Sequence, residues 1–331
     1  MKPVPTSVAG PHQPPEAGRG IVNQGVQAAA RTILVFGGQG QVATSLREAV
    51  LPAGWIVRTA GRAECDVTVR RDVDRIVAES GAAVVINAAA HTAVDRAESE
   101  PEAAIAVNRD GARHIAEACA RRGAPLIHLS TDYVFDGRAV GHAYREDDPI
   151  APVSVYGASK AEGDQAVRDA TSRHAIVRTA WVYGAHGQNF VKTMLRLGRE
   201  RPELGIVADQ HGCPSAAADI ADALVAMAVR MAEPGARADL HGTFHFTGTG
   251  STTWYGFAQE IFRLAARHGH PVPVLRPITT TDYPTPAARP ANSVLDCSRL
   301  RATFGIAAPP WRDSLATCVA RLCESSVGAL P

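Results

Sequence analysis

The sequence predicts a doubly wound α/β fold of the Rossmann type, a parallel sheet with a smaller C-terminal substrate-binding lobe. Three observations predict it. From residue 31 onward, short apolar and β-branched runs alternate with segments of helical period, the pattern of a parallel sheet with right-handed crossovers. A glycine-rich turn closes the first of those runs. Past about residue 180, glycine and proline become denser and the alternation breaks down.

The elements follow in order. Residues 1–30 carry five prolines (Pro3, Pro5, Pro11, Pro14 and Pro15) and lack the continuous apolar stretch of a secretory signal, so a flexible extension without its own fold is expected there. "TILVFGG" reads as the first strand and "QVATSLREAV" as the first helix; "WIVRTAG" and "VRRDVDRIVAES" repeat the pair. "AAVVINAA" is a third strand, and "PEAAIAVNRDGARHIAEACARRG" reads as one long helix that Gly123 closes. "APLIHLST" gives a fourth strand, "SVYGASKAEGDQAVRDA" a helix, and "HAIVRTAWVYG" a fifth strand. Further helices are expected at 190–200, 216–231 and 252–268. The 216–231 helix and "TFHFTG" should pack back on the sheet. "TTTDYPTPAARPAN" (279–292) is a long polar loop of the kind that binds ligands or is disordered. The expected division is a cofactor-binding domain over 31–178, rejoined by 214–248, and a substrate-binding lobe from 179–213 and 249–331.

Bulk properties narrow the partners. Of 331 residues, 34 are basic and 33 acidic, and no basic run exceeds two residues, which argues against nucleic acid. The apolar runs are too short to span a bilayer. Six cysteines (65, 119, 213, 297, 318 and 323) show no CxxC spacing, which argues against a zinc site and fits a reducing cytoplasm. A small-molecule partner is left.

"VFGGQGQVATSL" sets Gly37, Gly40 and the small Ala43 at the first strand–helix junction. Glycine allows a tight turn and close backbone approach to a pyrophosphate, which the helix N-terminus stabilises. The candidate cofactor contacts here are Gly37, Gly40, Gln41 and Val42. After the second strand come Arg58 and Arg62, with Glu64 only later. An arginine can pair a 2′-phosphate, so NADPH is favoured over NADH, though both arginines can equally be solvated surface charges.

"VYGASKAEG" places Tyr156 four residues before Lys160, on one face of a helix. The pair is either a proton-transfer device or two surface side chains. Lysine is scarce: Lys2, Lys160 and Lys192 are the only three in the chain, so chance gives about 0.05 such pairs. An ammonium beside a phenol would lower its pKa toward neutrality and could bond a nicotinamide ribose. At the end of the fourth strand, "HLSTDYVFDG" offers Thr131 or Ser130 to bond a substrate carbonyl, or a Ser/Thr turn that merely caps the strand.

Together with "NAAA", Asn108 and Thr131, these motifs resemble the extended short-chain dehydrogenase/reductases. The resemblance narrows through "NAAAHTAVDRAESEPE", "STDYVFDG", "RTAWVYG", "NFVKTMLRL", "DQHGCPS", "STTWYGFA" and "RPANSVLD" to the dTDP-4-dehydrorhamnose reductases, over about residues 31–325. It implies NAD(P)H-dependent reduction of the C4 ketone of dTDP-4-dehydro-β-L-rhamnose to dTDP-L-rhamnose, in the cytoplasm, by a monomer or homodimer. It also implies that Tyr156 protonates the oxygen, Thr131 bonds it, and Lys160 tunes Tyr156 and binds the ribose. Asn87, Ala88, Ala89 and Thr92 would line the cofactor, with Asp66 and Val67 near the adenine and Arg62 beside them. Asp132, Tyr133 and Trp181 match sugar-side positions, and Arg289 is a partner for the diphosphate. Asn108 either supports the site or bonds backbone. His91 sits in the loop after the third strand, in no metal-ligand cluster. Some members hold magnesium through a glutamate at the position of Ser45, so a metal is doubtful here. Two rivals share the fold. One is a non-catalytic NADP-binding subunit resembling the regulatory subunit of methionine adenosyltransferase. The other is an epimerase or dehydratase, although dehydratases place a second carboxylate where Tyr133 stands.

Overall fold

The structure is a computed structural model that describes residues 1–3, 30–139 and 141–327, with the side chains of 325–327 left aside. Most of the expected flexible extension (4–29) lies outside the described residues. Five strands, β1 (Arg31–Phe36), β2 (Trp55–Ala60), β3 (Val84–Asn87), β4 (Leu126–Thr131) and β5 (His174–Thr179), form one sheet with a sixth, Gly242–His245. From one edge the order is Gly242–His245, β5, β4, β3, β1, β2, and every pairing is parallel. The chain winds one way from β1 to β2 and the other way from β3 onward. The crevice beside β1 and β3 is therefore where such a sheet takes a ligand.

Strand alternation sorts the core onto two faces. Helices α1 (Gln41–Glu48), α2 (Arg70–Ser80), α3 (Val94–Ser99), α4 (Pro101–Ile105), α5 (Ala112–Arg122), α6 (Val155–Ala170), α7 (Phe190–Glu200), α8 (Ala217–Met231), α9 (Trp254–Ala266), α10 (Ser298–Phe304) and α11 (Trp311–Val327) surround the sheet and the second apolar cluster. Ile33 and Val35 of β1 pack with Leu46 of α1 and with Ile220 and Leu224 of α8. Leu34 and Phe36, one residue out of phase, pack with Val73 and Ile76 of α2 and Ile115 of α5. A separate cluster gathers Met194, Phe257, Phe262 and Trp311, from α7, α9 and α11, with Tyr183 of the short strand Val182–Tyr183.

Three elements differ from expectation. The long helix after β3 is broken into α4, a π-helical segment at Ala106–Gly111, and α5. Packing accounts for the break: Gly163 of α6 lies against the Asn108 carbonyl, where a Cβ would come within 2.1 Å of the oxygen. The fifth strand ends at Thr179 because Trp181 takes a left-handed backbone (φ 48°), alone among the described non-glycine residues. Residues Val182–Tyr183 then pair with Ser215–Ala216. Two helices, α10 and α11, stand where the sequence reading placed none.

Candidate active site

The glycine turn is shaped by the protein's own backbone. Gly37 has φ 100°, and a Cβ there would meet the Ala88 carbonyl carbon at 2.7 Å. The Asn87 side-chain oxygen accepts from the Ala89 N–H at 3.1 Å, which fixes this strand end beside the turn. Gly40 caps α1 with no side-chain hydrogen bond, so the first amide groups of α1 are not satisfied by a capping side chain. Such an N-terminus suits an anion. Gln41 is tied across to the second half of the chain, accepting from Asn189 at 3.0 Å, while Val42 packs against the sheet core.

At the β2 end, Arg58 pairs with Glu64 at 2.8 Å, and Arg62 pairs at 3.7 Å with Asp66 while remaining 89% exposed. Asp66 also accepts from the Thr68 N–H and hydroxyl, and those two bonds lower its pKa. Val67 packs on Gly111 of the π segment and its carbonyl contacts His114. Thr92 is exposed, and the Asn108 side chain holds the neighbouring loop, accepting from the His91 N–H at 2.8 Å and donating to Ser159 at 2.9 Å. That Asn108 bond network includes both backbone and α6.

The catalytic candidates converge. Ser154 caps α6, accepting from the Gly157 N–H, and the helix then presents Tyr156 and Lys160 inward. Both are buried, Lys160 at 2% exposure. The Thr131 hydroxyl accepts from the Tyr133 N–H at 3.2 Å and donates to Asp132 Oδ1 at 3.0 Å, and it favours the ionised form of the Tyr156 phenol. Ser130, the alternative, is buried without a hydrogen-bond partner. The Tyr133 ring stands edge-on to Tyr156, 5.4 Å between centroids.

Electrostatics correct one expectation. Burial pushes the Tyr156 phenol up, and Asp132 and Asp164 push it the same way. Lys160 does not bring it toward neutrality, because its ammonium donates to the Leu129 carbonyl at 2.7 Å and lies 3.4 Å from His128. Burial lowers Lys160 itself to about 8, so it stays mostly charged at neutral pH. Asp132, fully enclosed, is raised to about 6 by burial, against hydrogen bonds from Ser293 and Thr131.

Arg289 donates to Asp95 at 2.8 Å, and its charge favours the ionised form of Tyr133 against burial. The Trp181 ring stacks on Trp254 at 3.6 Å between centroids and covers Gly212. Ser45 is buried in α1, and the described residues hold no cluster of three or more His, Cys, Asp or Glu suited to a metal. Sequence reasoning missed His128, Asp164 and Arg178, all buried: His128 lies 3.4 Å from Lys160, and Arg178 pairs with Asp164 at 3.4 Å. The spacing Tyr156, Lys160, Asp164 is a signal that could have found one of them.

Comparison with known proteins bears on this arrangement. The family described as the RmlD substrate binding domain matches residues 31–324. A dTDP-4-dehydrorhamnose reductase of Sinorhizobium fredii is 47% identical over 283 residues, covering 85% of this chain and 94% of that protein. One from Burkholderia thailandensis is 45% identical over 292 residues, covering 87% and 97%. The crystal structure of the Bacillus anthracis dTDP-4-dehydrorhamnose reductase in complex with NADP superposes with a TM-score of 0.81 at 36% identity, covering 88% of this chain and 99% of that one.

Proposed function

The chain belongs to the RmlD substrate-binding-domain family of dTDP-4-dehydrorhamnose reductases, and from that premise we propose that it reduces the C4 ketone of dTDP-4-dehydro-β-L-rhamnose to give dTDP-L-rhamnose. The observation that carries the reading is the burial of Thr131, Tyr156 and Lys160 where α6 packs on the end of β4: Lys160 donates to the Leu129 carbonyl, and Thr131, two residues further along that strand, acts on the Tyr156 phenol. An NADP-binding partner subunit needs the glycine turn but no buried proton donor. Dehydration needs a second carboxylate where Tyr133 stands.

The residues present fit a nicotinamide dinucleotide. Gly37, Gly40, Gln41 and Val42 offer a turn and an uncapped helix N-terminus to the pyrophosphate. Asp66 and Val67 would flank the adenine, and Asn87, Ala88, Ala89 and Thr92 would line the path to the ribose. Lys160 would bond the ribose hydroxyls. When bound, the cofactor supplies the hydride. Arg62, exposed and held by one long ion pair, is free to turn to a 2′-phosphate, which favours NADPH over NADH.

The chain's own part is proton delivery. A raised phenol pKa keeps the proton on Tyr156 at neutral pH, the form that an acid must have. When a ketone oxygen enters, the Thr131 and Tyr156 hydroxyls turn to donate to that oxygen. Tyr156 then passes its proton to the forming alkoxide and is left as a phenolate, which takes a proton back from solvent before the next turnover. Asp132, Tyr133 and Arg289 hold the sugar and diphosphate, and Trp181 with Trp254 forms an aromatic wall of the same lobe. In this reading residues 31–178 with 214–248 carry the cofactor, and 179–213 with 249–331 carry the sugar.

The test mixes purified protein, NADPH or NADH, and dTDP-4-dehydro-6-deoxyglucose with its 3,5-epimerase. Stoichiometric cofactor oxidation with dTDP-L-rhamnose formed, and a lower KM for NADPH, is expected. Cofactor binding without consumption would instead support the partner-subunit reading.

A further inference from the structure

We propose that Asp164 is a positioning residue for the reaction, the buried counter-charge that holds Lys160 as an ammonium inside the site. Tyr156, Lys160 and Asp164 are spaced four residues apart, so one face of α6 carries all three. Asp164 and Arg178 are fully buried, and His128 is 1% exposed. The Asn87 oxygen is committed to the Ala89 N–H, so its amide nitrogen donates to His128 Nδ1 at 3.0 Å. The His128 proton then sits on Nε2, 3.4 Å from Lys160 Nζ and 3.8 Å from Asp164 Oδ1. Burial and the Lys160 charge keep His128 neutral, so it cannot itself balance the ammonium.

Asp164 meets Arg178 only through one oxygen, Oδ2, at 3.4 Å. Its other oxygen, Oδ1, is buried without a hydrogen-bond partner and lies 3.8 Å from His128 Nε2, the ring nitrogen that is 3.4 Å from Lys160 Nζ. Lys160 shares α6 with Tyr156, Asp164 and Arg168; His128 beside it sits on β4 with Asp132 just beyond that strand, Arg168 and His174 act on His128, Asn87 of β3 donates to it, and Arg178 of β5 pairs with Asp164. Of these only Asp164 and Asp132 are acids, and Asp132 spends part of the neutral range protonated. Burial alone would strip the Lys160 proton, and Asp164 opposes that loss.

The inference rests on the reductase reading only where turnover is measured. Three lysines give three resonances in full-length protein labelled with 13C at lysine Cε, and Lys160→Arg identifies one of them. Lys160 should titrate near pH 8 in the wild type. In Asp164→Asn it should titrate at least about one unit lower, with the alkaline limb of kcat moving to acid equally, and Asp164→Glu should restore both. Opening a buried pair from one side is strongly destabilising, so the neutral double variant Asp164→Asn/Arg178→Gln is titrated alongside and should show the same direction. A Lys160 midpoint within about 0.3 unit of wild type in the folded variants overturns the proposal. A shifted midpoint in a protein that turns nothing over leaves Asp164 in place and removes the reductase reading instead.

Discussion

At Gly37, glycine is demanded by the protein before any phosphate arrives. Its left-handed backbone and the 2.7 Å approach of a Cβ to the Ala88 backbone both exclude a side chain. Gly37→Ala should therefore cost at least about 2 kcal/mol, read as a fall in Tm, as well as weakening cofactor binding. An unchanged Tm would place the need for glycine at the cofactor alone. The glycine was legible in the sequence, but its reason was not, because nothing in "VFGGQG" shows that Ala88 will lie against it. Tyr156 and Lys160 were legible as a pair from lysine scarcity and spacing. The direction of the Tyr156 shift was not, since it depends on burial and on Asp132 and Asp164. Trp181 was legible as an aromatic at a strand end, whereas its left-handed backbone and its stacking on Trp254 arise from distant segments.

Among the elements, the alternation of strands and helices from residue 31 was readable because each buried strand is a continuous apolar run and each helix has its own period. The π-helical turn at Ala106–Gly111 was not, because it is set by tertiary contact between Asn108 and Gly163 and between Gly111 and Val67. Such turns recur at functional sites, and this one aims Asn108 at both the His91 loop and α6. Gly163→Ala would drive a Cβ into the Asn108 carbonyl and lift α6, which carries Tyr156 and Lys160. A fall in kcat/KM of at least about tenfold is expected from that displacement. A variant with normal kinetics would show that α6 tolerates the shift. Helix α11 escaped notice because Pro309 and Pro310 stand directly before it, and α10 because its seven residues span barely two turns.

Across the whole molecule, the sixth strand is joined to the rest of its sheet domain by buried polar groups as well as apolar ones. His245, on the edge strand Gly242–His245, lies 3.5 Å from Arg178 and contacts the Tyr144 carbonyl. Burial and Arg178 lower it from 6.5 to about 3. Above pH 6.5 the imidazole is neutral in both folded and unfolded chains and contributes no pH dependence. As pH falls through that window only the unfolded chain takes the proton, so stability declines toward pH 3. His245→Gln should flatten the dependence of Tm on pH between about 6.5 and 4, and an equally steep profile would assign acid sensitivity to other groups. The measurement that tests the central claim most directly follows deuterium from [4-2H]NADPH into product, with the wild type beside Tyr156→Phe. The account predicts deuterium at C4 of dTDP-rhamnose from the wild type, and a Tyr156→Phe protein that binds NADPH as before but turns over at least about a hundredfold more slowly. Deuterium absent from C4, or near-normal turnover without the Tyr156 hydroxyl, would contradict it.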